Sequence, residues 1–163
     1  AIEDAYDPEI HTDAKAKEDA EAFYKAGEGK WGTNEKALFK LICTSPPEHL
    51  EKVNELYTSK YDVTLFKALE KEFRGKAEDA VVHALGMKLR PYETVAKLFK
   101  TACKGIGTDE ILLTSAVVRY QNIMPQVNEA HKELYGKSIQ TLIMKETGGD
   151  YLKLLTRAVD CVM

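Results

Sequence analysis

The chain has 163 residues, of which 44% are hydrophobic and 30% are charged, and its formal net charge is −3. This composition predicts a folded protein of one domain or two small ones and excludes a disordered chain. It also argues against binding to nucleic acid, and no apolar run reaches the ~20 residues of a membrane-spanning helix.

The chain opens with an acidic segment ahead of the first helix. Its sequence, AIEDAYDPEIHTD, lacks the basic and apolar regions of a signal peptide. We expect residues 1–14 to form an approach segment, with helix from about Asp13.

Beyond this segment the apolar residues recur three and four positions apart, which is the spacing of helices with one buried face. No segment alternates strictly between apolar and polar residues, as a half-buried strand would. The first half of the chain predicts five short helices, which include AEAFYKAG, LFKLICT, LEKVNELY, TLFKALEKEF and AVVHALGMKL.

Residue types that favour helix starts mark several boundaries. Thr33 precedes Glu35, and Thr108 precedes Glu110, so a carboxylate falls in the first turn, where it suits the helix dipole. Ser45 followed by Pro46 predicts another start. Further cap candidates are Asp62, Ser138 and Asp150.

The sequence repeats itself once. KWGTNEKAL at 30–38 aligns with GIGTDEILL at 105–113 at an offset of 75, and VNE at 53–55 recurs at 127–129 at an offset of 74. We therefore predict two copies of a unit of about 74 residues, at 15–89 and 90–163. The one-residue shortfall is expected in the second helix of the unit or in the turn after it.

Two glycine-bearing segments recur in each predicted unit. The first is a loop between helices one and two, AGEGKWGT in the first unit and CKGIGT in the second. The second is a turn near the end of helix four, KEFRGK or KETGGD, whose acid is Glu72 or Glu146. In the first unit Gly32 is 40 residues from Glu72, and in the second unit Gly107 is 39 residues from Glu146.

This pairing of loop and acid has the chemistry of a calcium site. Glycine permits positive φ, so that successive carbonyl oxygens can converge on one point. Ca²⁺ takes six to eight oxygen ligands and accepts carbonyls, carboxylate and water, whereas Mg²⁺ demands a stricter octahedron. A single copy of such a loop is more often a capped helix start, and its free N–H groups could instead hold an anion. The recurrence of loop and acid favours calcium.

These segments resemble annexin repeats. The resemblance rests on GKWGTNE at 29–35 with Glu72, and on KGIGTDE at 104–110 with KETGGDY at 145–151, and it extends over essentially the whole chain. The first unit is similar to the third annexin repeat, whose loop carries a Trp, and the second unit is similar to the fourth. The chain thus resembles the C-terminal half of a four-repeat annexin. The resemblance implies an all-α fold, with two repeats of five short helices each in a right-handed superhelix.

The resemblance also implies two calcium sites built from loop carbonyls and one carboxylate. The first site consists of the carbonyls of Gly27, Lys30 and Gly32 with the carboxylate of Glu72. The second consists of the carbonyls of Cys103, Gly105 and Gly107 with the carboxylate of Glu146. Weaker cation sites would use Thr33 with Glu35 and Thr108 with Glu110. Membrane contacts would come from Lys30, Trp31, Lys104 and Ile106.

The implied function is calcium-dependent binding to anionic phospholipid membranes, by a cytoplasmic protein that is peripheral at membranes when calcium is raised. Each bound Ca²⁺ adds two positive charges where an acidic protein would otherwise be repelled. The alternative is an annexin-like scaffold that binds cytoskeletal or other protein partners without calcium. Because a half-molecule would expose apolar helix faces, we also expect a homodimer or larger assembly.

Three positions depart from the family pattern. The family often has Ser where this chain has Arg74 and Gly148. The Arg that the family carries late in the second helix is present as Arg119, but Thr44 stands near that place in the first unit. None of these departures removes a predicted ligand.

The remaining reactive residues favour structural roles. The three cysteines lie far apart without CxxC spacing, which predicts neither a disulfide framework nor a zinc site and favours a reducing cytosol. The four histidines share no metal-binding spacing. Cys43 lies near His49 in sequence, but nothing marks a base and an oxyanion site around it, so no enzyme is predicted. Trp31 could alternatively fold back onto its own loop, where its indole finds a partner.

Overall fold

A computed structural model describes residues 5–27, 34–105 and 107–163. Within those ranges the regular secondary structure is entirely helical, which confirms the all-α fold class. None of the helices described there is both long and apolar enough to span a bilayer. The chain divides into two compact units, Ala1–Leu89 (unit 1) and Arg90–Met163 (unit 2).

Unit 1 contains five helices in its described part. α1 packs mainly on α3, α4 packs on α5, and α2 contacts both α1 and α5. The helices are α1 (Asp13–Ala26), α2 (Glu35–Thr44), α3 (Pro47–Tyr61), α4 (Leu65–Glu72) and α5 (Lys76–Leu89).

The core of unit 1 is built from the apolar positions that the helical spacing indicated. Phe23 on α1 and Tyr57 on α3 meet edge to face with ring centroids 5.4 Å apart, and both are almost fully buried. Leu38 and Ile42, four residues apart on α2, are buried with them. Each such side chain contributes about 1.5–3 kcal/mol on burial, so the shared core explains why these short helices are stable.

Unit 2 repeats the same order of five helices. α6 packs on both α8 and α7, and α10 packs on α9 and α7. The helices are α6 (Pro91–Ala102), α7 (Glu110–Arg119), α8 (Met124–Tyr135), α9 (Ile139–Glu146) and α10 (Gly149–Asp160), with a 3-10 turn (Gln121–Ile123) before α8. The prediction of five short helices in each unit is therefore confirmed.

One linkage inside the units recurs at the 74-residue offset. Asn54 on α3 accepts a hydrogen bond from Leu65 N at the start of α4 (3.1 Å), and Asn128 on α8 accepts from Ile139 N at the start of α9 (2.9 Å). In both units a side-chain amide thus satisfies an N–H at a helix start, where no intrahelical partner exists.

The helix caps differ by one residue from two of the predicted starts. Asn34 caps α2 by accepting from Ala37 N at 3.1 Å, and Asp109 caps α7 by accepting from Leu112 N at 2.9 Å. Thr108 is therefore not the cap of α7. Its hydroxyl donates elsewhere, as described below, and Thr33 lies outside the described residues.

Three further cap predictions are corrected and one is confirmed. Ser45 follows the end of α2, and α3 begins at Pro47, one residue later than predicted. Asp62 ends α3 in the left-handed conformation (φ 55°), and Asp150 lies in the first turn of α10 behind Gly148. Ser138 caps α9 as predicted.

The one-residue shortfall of unit 2 lies in the link after its second helix. α2 and α7 both have ten residues, and both their ends match at the offset of 75. Two residues, Ser45 and Pro46, then precede α3, whereas Tyr120 alone precedes the 3-10 turn of unit 2. This placement agrees with the prediction.

Candidate functional site

The glycine loop of unit 2 connects α6 to α7 and is closed by a backbone hydrogen bond. Asp109 N donates to Ala102 O at 2.8 Å, so both ends of the loop are held at one place. Gly105 and Gly107 have φ of 99° and 88°, and a side chain at either position would strain the backbone. The loop therefore takes a path that depends on its two glycines, both of which are predicted carbonyl ligands.

The acid of unit 2 lies against this loop. Glu146 is the last residue of α9, and its carbonyl accepts a hydrogen bond from Thr108 Oγ1 at 2.8 Å. Burial, followed by the negative charge of Glu146, raises the pKa of the Cys103 thiol. Thr108 and Cys103, which are 38 and 43 positions before Glu146 in the sequence, thus lie beside it.

The Glu146 carboxylate is only partly exposed and already has a cationic neighbour. Its Oε1 lies 3.1 Å from Lys145 Nζ, and the two side chains are 23% and 68% exposed. An ion pair this exposed adds about 1 kcal/mol or less to stability. A divalent cation at Glu146 would therefore replace a weak partner.

The first loop and the acid of unit 1 also meet. A Cβ added to Gly27 would lie 3.1 Å from Glu72 Cγ and 3.3 Å from Cδ, so the backbone at Gly27 passes directly beside this carboxylate side chain. Asn34 N donates to Ala26 O at 2.7 Å, which closes the loop as in unit 2. The bond spans eight residues here and seven in unit 2, so the first loop is one residue longer.

Several predicted site residues of the two loops cannot be placed beside these acids. Lys30, Trp31, Gly32, Thr33 and Ile106 lie outside the described residues. Lys104 is exposed, and its N–H donates to Thr101 O at 3.1 Å. The predicted membrane contacts of Lys30, Trp31, Lys104 and Ile106 stay predictions.

The residues of the predicted weaker cation sites have other contacts in unit 2. Glu110 is exposed in the first turn of α7, and its carbonyl accepts from Tyr151 Oη at 3.0 Å. Thr108 directs its hydroxyl to Glu146, as described above. Glu35 occupies the corresponding first turn of α2 and is also exposed. Sequence reasoning missed Tyr151, which also bonds Thr114 and so joins α7 to α10.

Arg74 has a role that the sequence pattern did not indicate. Its Nη1 donates to the carbonyls of Glu70 (2.7 Å), Lys71 (3.0 Å) and Phe73 (2.7 Å), so the guanidinium caps the C-terminal end of α4 beside Glu72. A cation here also suits the negative end of the helix dipole. Unit 2 has Gly148 at the matching position and lacks this cap. The sequence signal that could have indicated this cap is a basic residue just after the end of a predicted helix.

The donors that the sequence predicts for both sites are of types that a hard cation accepts. Backbone carbonyls and one carboxylate supply only oxygen, which is what Ca²⁺ prefers. The predicted set leaves ligand positions open for water or for oxygens of another molecule.

Comparison with known proteins identifies the repeat. The annexin family profile matches residues 18–84 and 94–157, one match in each unit and together most of the chain. The chain belongs to the annexin family. Calcium-dependent phospholipid binding is the general property of annexins, which are in general not enzymes.

Individual relatives agree with this assignment. The chain is 34% identical to annexin A4 of Mus musculus over 145 residues, which is 88% of this chain and 45% of that protein. It is 33% identical to annexin A7 of Dictyostelium discoideum over 142 residues, covering 86% of this chain and 31% of the relative. The solved structure of annexin III superposes with a TM-score of 0.83 at 28% identity, over 91% of this chain and 46% of that one. This annexin chain thus spans about half the length of its relatives or less.

Proposed function

We propose that this annexin chain binds anionic phospholipid membranes through Ca²⁺ ions held in the two interhelical loops. The carbonyls of Cys103, Gly105 and Gly107 with the Glu146 carboxylate would hold one ion. Those of Gly27, Lys30 and Gly32 with Glu72 would hold the other. Bound calcium would supply a positive charge with open ligand positions that phosphate oxygens can fill.

The observation that carries the proposal is the contact between loop and acid in unit 2. The Thr108–Glu146 hydrogen bond fixes the end of the glycine loop to the helix end that bears the acid. A site assembled before the ion arrives requires less ordering when it binds, and this favours affinity. In unit 1 the approach of Gly27 to Glu72 supports the same arrangement.

Electrostatics make this binding conditional on calcium. The chain has a formal net charge of −3, so an anionic leaflet repels it on average. Two bound ions would add four positive charges at the loops and reverse the sign locally. We infer a peripheral and reversible association, and a cytoplasmic location stays a prediction.

Vesicle sedimentation tests the proposal. With vesicles of phosphatidylserine and phosphatidylcholine, the protein should pellet in calcium and stay in the supernatant in excess chelator. Glu146→Gln and Glu72→Gln should each raise the calcium concentration needed for half-maximal pelleting about tenfold or more, because the charged ligand is lost.

Two exposed glutamates on neighbouring helices provide matched controls. Glu133→Gln on α8 and Glu51→Gln on α3 remove the same charge away from the loops and should leave the calcium midpoint unchanged. Equal pelleting in calcium and chelator would overturn the proposal. So would equal midpoints for the site variants and their controls.

Self-association of this half-length chain is a second part of the proposal. In unit 2 the apolar side chains of Ile111, Val118 and Leu154 are 82%, 61% and 65% exposed. Apolar side chains this exposed favour burial against a second copy of the chain. A monomer mass measured by light scattering would contradict self-association. No contact of the described residues specifically favours a cytoskeletal partner.

A further inference from the structure

Tyr151 joins the two elements that carry the proposed calcium site of unit 2. It lies in the first turn of α10, which begins directly after the turn that follows Glu146. Its Oη donates to the carbonyl of Glu110 at 3.0 Å, in the first turn of α7. Because α7 begins where the glycine loop ends, this one side chain connects the acidic turn to the exit of the loop.

The hydroxyl of Tyr151 is the middle member of a chain of two hydrogen bonds. Its oxygen lies 2.9 Å from Thr114 Oγ1 on α7. The single phenolic proton goes to the Glu110 carbonyl, because a carbonyl oxygen can only accept. Thr114 is therefore the donor in the other bond. The two bonds point in the same direction along the chain, so each polarises and strengthens the other.

The bond from Tyr151 is the second of two that fasten the loop exit to the acidic turn. The first is the bond from Thr108 Oγ1 to Glu146 O at 2.8 Å, on the other side of the turn. A single attachment would leave the loop exit free to pivot about it. Two attachments fix the orientation of the loop exit relative to the acid.

The order that these bonds impose extends to the predicted ligands. Asp109 lies between the two attachment points in sequence, and its N–H closes the loop by donating to Ala102 O at 2.8 Å. Gly105 and Gly107, whose carbonyls are predicted ligands, lie within the loop that is closed in this way. Since ordering a site during binding costs free energy, a loop held in place beforehand favours calcium affinity.

Unit 1 makes the corresponding connection with apolar side chains. Phe39 and Ala77 stand at the positions of the two hydroxyl-bearing residues of unit 2. Phe39 on α2 packs edge to face on Phe73, the residue after α4, with ring centroids 5.5 Å apart. The polar connection is therefore a property of unit 2, and unit 1 provides an internal control.

We propose that Tyr151 is a positioning residue for the calcium site of unit 2 and acts through the Glu110 carbonyl rather than as a ligand. The inference rests on the proposed function, in which the loop and Glu146 hold calcium. Loss of the phenolic hydroxyl is expected to loosen the loop in the absence of calcium and to weaken calcium binding in unit 2 alone.

Tyr151→Phe removes the hydroxyl and keeps the ring. Thr114 can then donate to the Glu110 carbonyl four residues back in its own helix, so the variant leaves no hydroxyl without a partner and should fold. Tyr92→Phe is the matched control. Tyr92 is exposed near the start of α6, at the opposite end of that helix from the loop.

Amide hydrogen exchange of the full chain in excess chelator tests the loosening without calcium. In Tyr151→Phe the amide of Asp109, which closes the loop of unit 2, should exchange about three- to tenfold faster, as expected for the loss of one or two hydrogen bonds. The amide of Asn34 closes the loop of unit 1 in the same way and should keep its wild-type rate. Both amides should keep their rates in Tyr92→Phe.

Calcium titration of the same proteins measures the affinity of unit 2 through the amide signals of Gly105 and Gly107. Tyr151→Phe should weaken this affinity about three- to tenfold, because the same hydrogen bonds no longer order the free site. Tyr92→Phe should leave it unchanged. A tyrosine that only stabilised the fold would leave the calcium affinity unchanged as well.

The two measurements together decide the inference. Faster exchange at Asp109 with weaker calcium binding in unit 2 supports it. Unchanged exchange at Asp109, unchanged calcium affinity, or equal weakening by Tyr92→Phe would overturn it and leave the proposed function untouched. Wild-type signals of Gly105 and Gly107 that do not respond to calcium would instead contradict the proposed function and, with it, the calcium role of Tyr151, whatever the exchange rates are.

Discussion

Units 1 and 2 share one frame but treat the acidic turn after the fourth helix differently. In unit 1 Arg74 donates to three carbonyls at the end of α4. In unit 2 Gly148 takes the place of Arg74, and the end of α9 has a side-chain hydrogen bond from Thr147 Oγ1 to Ile143 O at 2.7 Å. The turns are otherwise alike, with Gly75 at φ 60° and Gly149 at φ 59°. The two units thus share the backbone path of this turn, while each turn is stabilised by its own side-chain contacts.

The glycine loops of the two units also differ in local detail. The first loop has one more residue than the second between the two residues whose hydrogen bond closes it. The residue beside the acid also differs, since Gly27 lies near Glu72 in unit 1 and Cys103 lies near Glu146 in unit 2. A Cβ at position 27 would lie 3.1 Å from Glu72 Cγ, so any larger residue there would push the Glu72 side chain aside by a few tenths of an ångström. In unit 2, Gly105 and Gly107 both have positive φ, which favours glycine at these two positions. We therefore expect the two proposed calcium sites to have different affinities.

The largest expected effect comes from Gly107→Ala in the second loop. A Cβ at φ 88° strains the backbone by about 1–2 kcal/mol, and relief of that strain would turn the predicted carbonyl ligand away. Calcium titration by calorimetry should show unit 2 binding weakened about tenfold, with unit 1 binding retained. Gly148→Ala is the matched control, since its φ of −148° suits any residue and its Cβ meets open space. Equal loss at both sites would contradict the proposal that each loop holds its own ion.

The next effect comes from exchanging the residues of the acidic turns. Arg74→Gly removes three hydrogen bonds from a helix end and should lower the free energy of unfolding by about 1 kcal/mol. The loss is small because the guanidinium is exposed, so water replaces part of the lost hydrogen bonding. Gly148→Arg should have the opposite sign if the cap transfers to α9. Chemical denaturation measures both changes, and destabilisation by Gly148→Arg would show that the cap depends on features of unit 1 alone.

The smallest effect concerns the end of the third helix. Asp62 ends α3 at φ 55°, while unit 2 uses Gly136 at φ 68° at the matching position. Asp62→Gly should stabilise the chain by up to about 0.5 kcal/mol, since relief of the left-handed strain is partly offset by the greater freedom of glycine when unfolded. Thermal unfolding checks the sign, and Gly136→Asp should shift the midpoint the other way.

Much of the fold could be predicted because it rests on local periodicity. Apolar spacing of three and four gave five helices in each unit, and the repeat placed loop and acid in matching positions. Helix starts were less accurate, because Asn34 and Asp109 compete with the neighbouring Thr33 and Thr108 for the cap. The better cap depends on which side chain reaches the N–H three residues on, and a residue type alone does not settle that.

The sequence by itself determined the family, the helical class and the internal repeat, since each depends on residue types at fixed spacing along the chain. The tertiary structure alone decided which distant residues meet. Thr108 bonds Glu146 across 38 residues, and His49 bonds Asp19 across 30. Such contacts arise when helices pack their apolar faces and carry polar residues at the ends into place, and no pattern along one helix encodes the partner on another. The glycine loops and their acids were therefore visible in the sequence, whereas the contact between His49 and Asp19 was not.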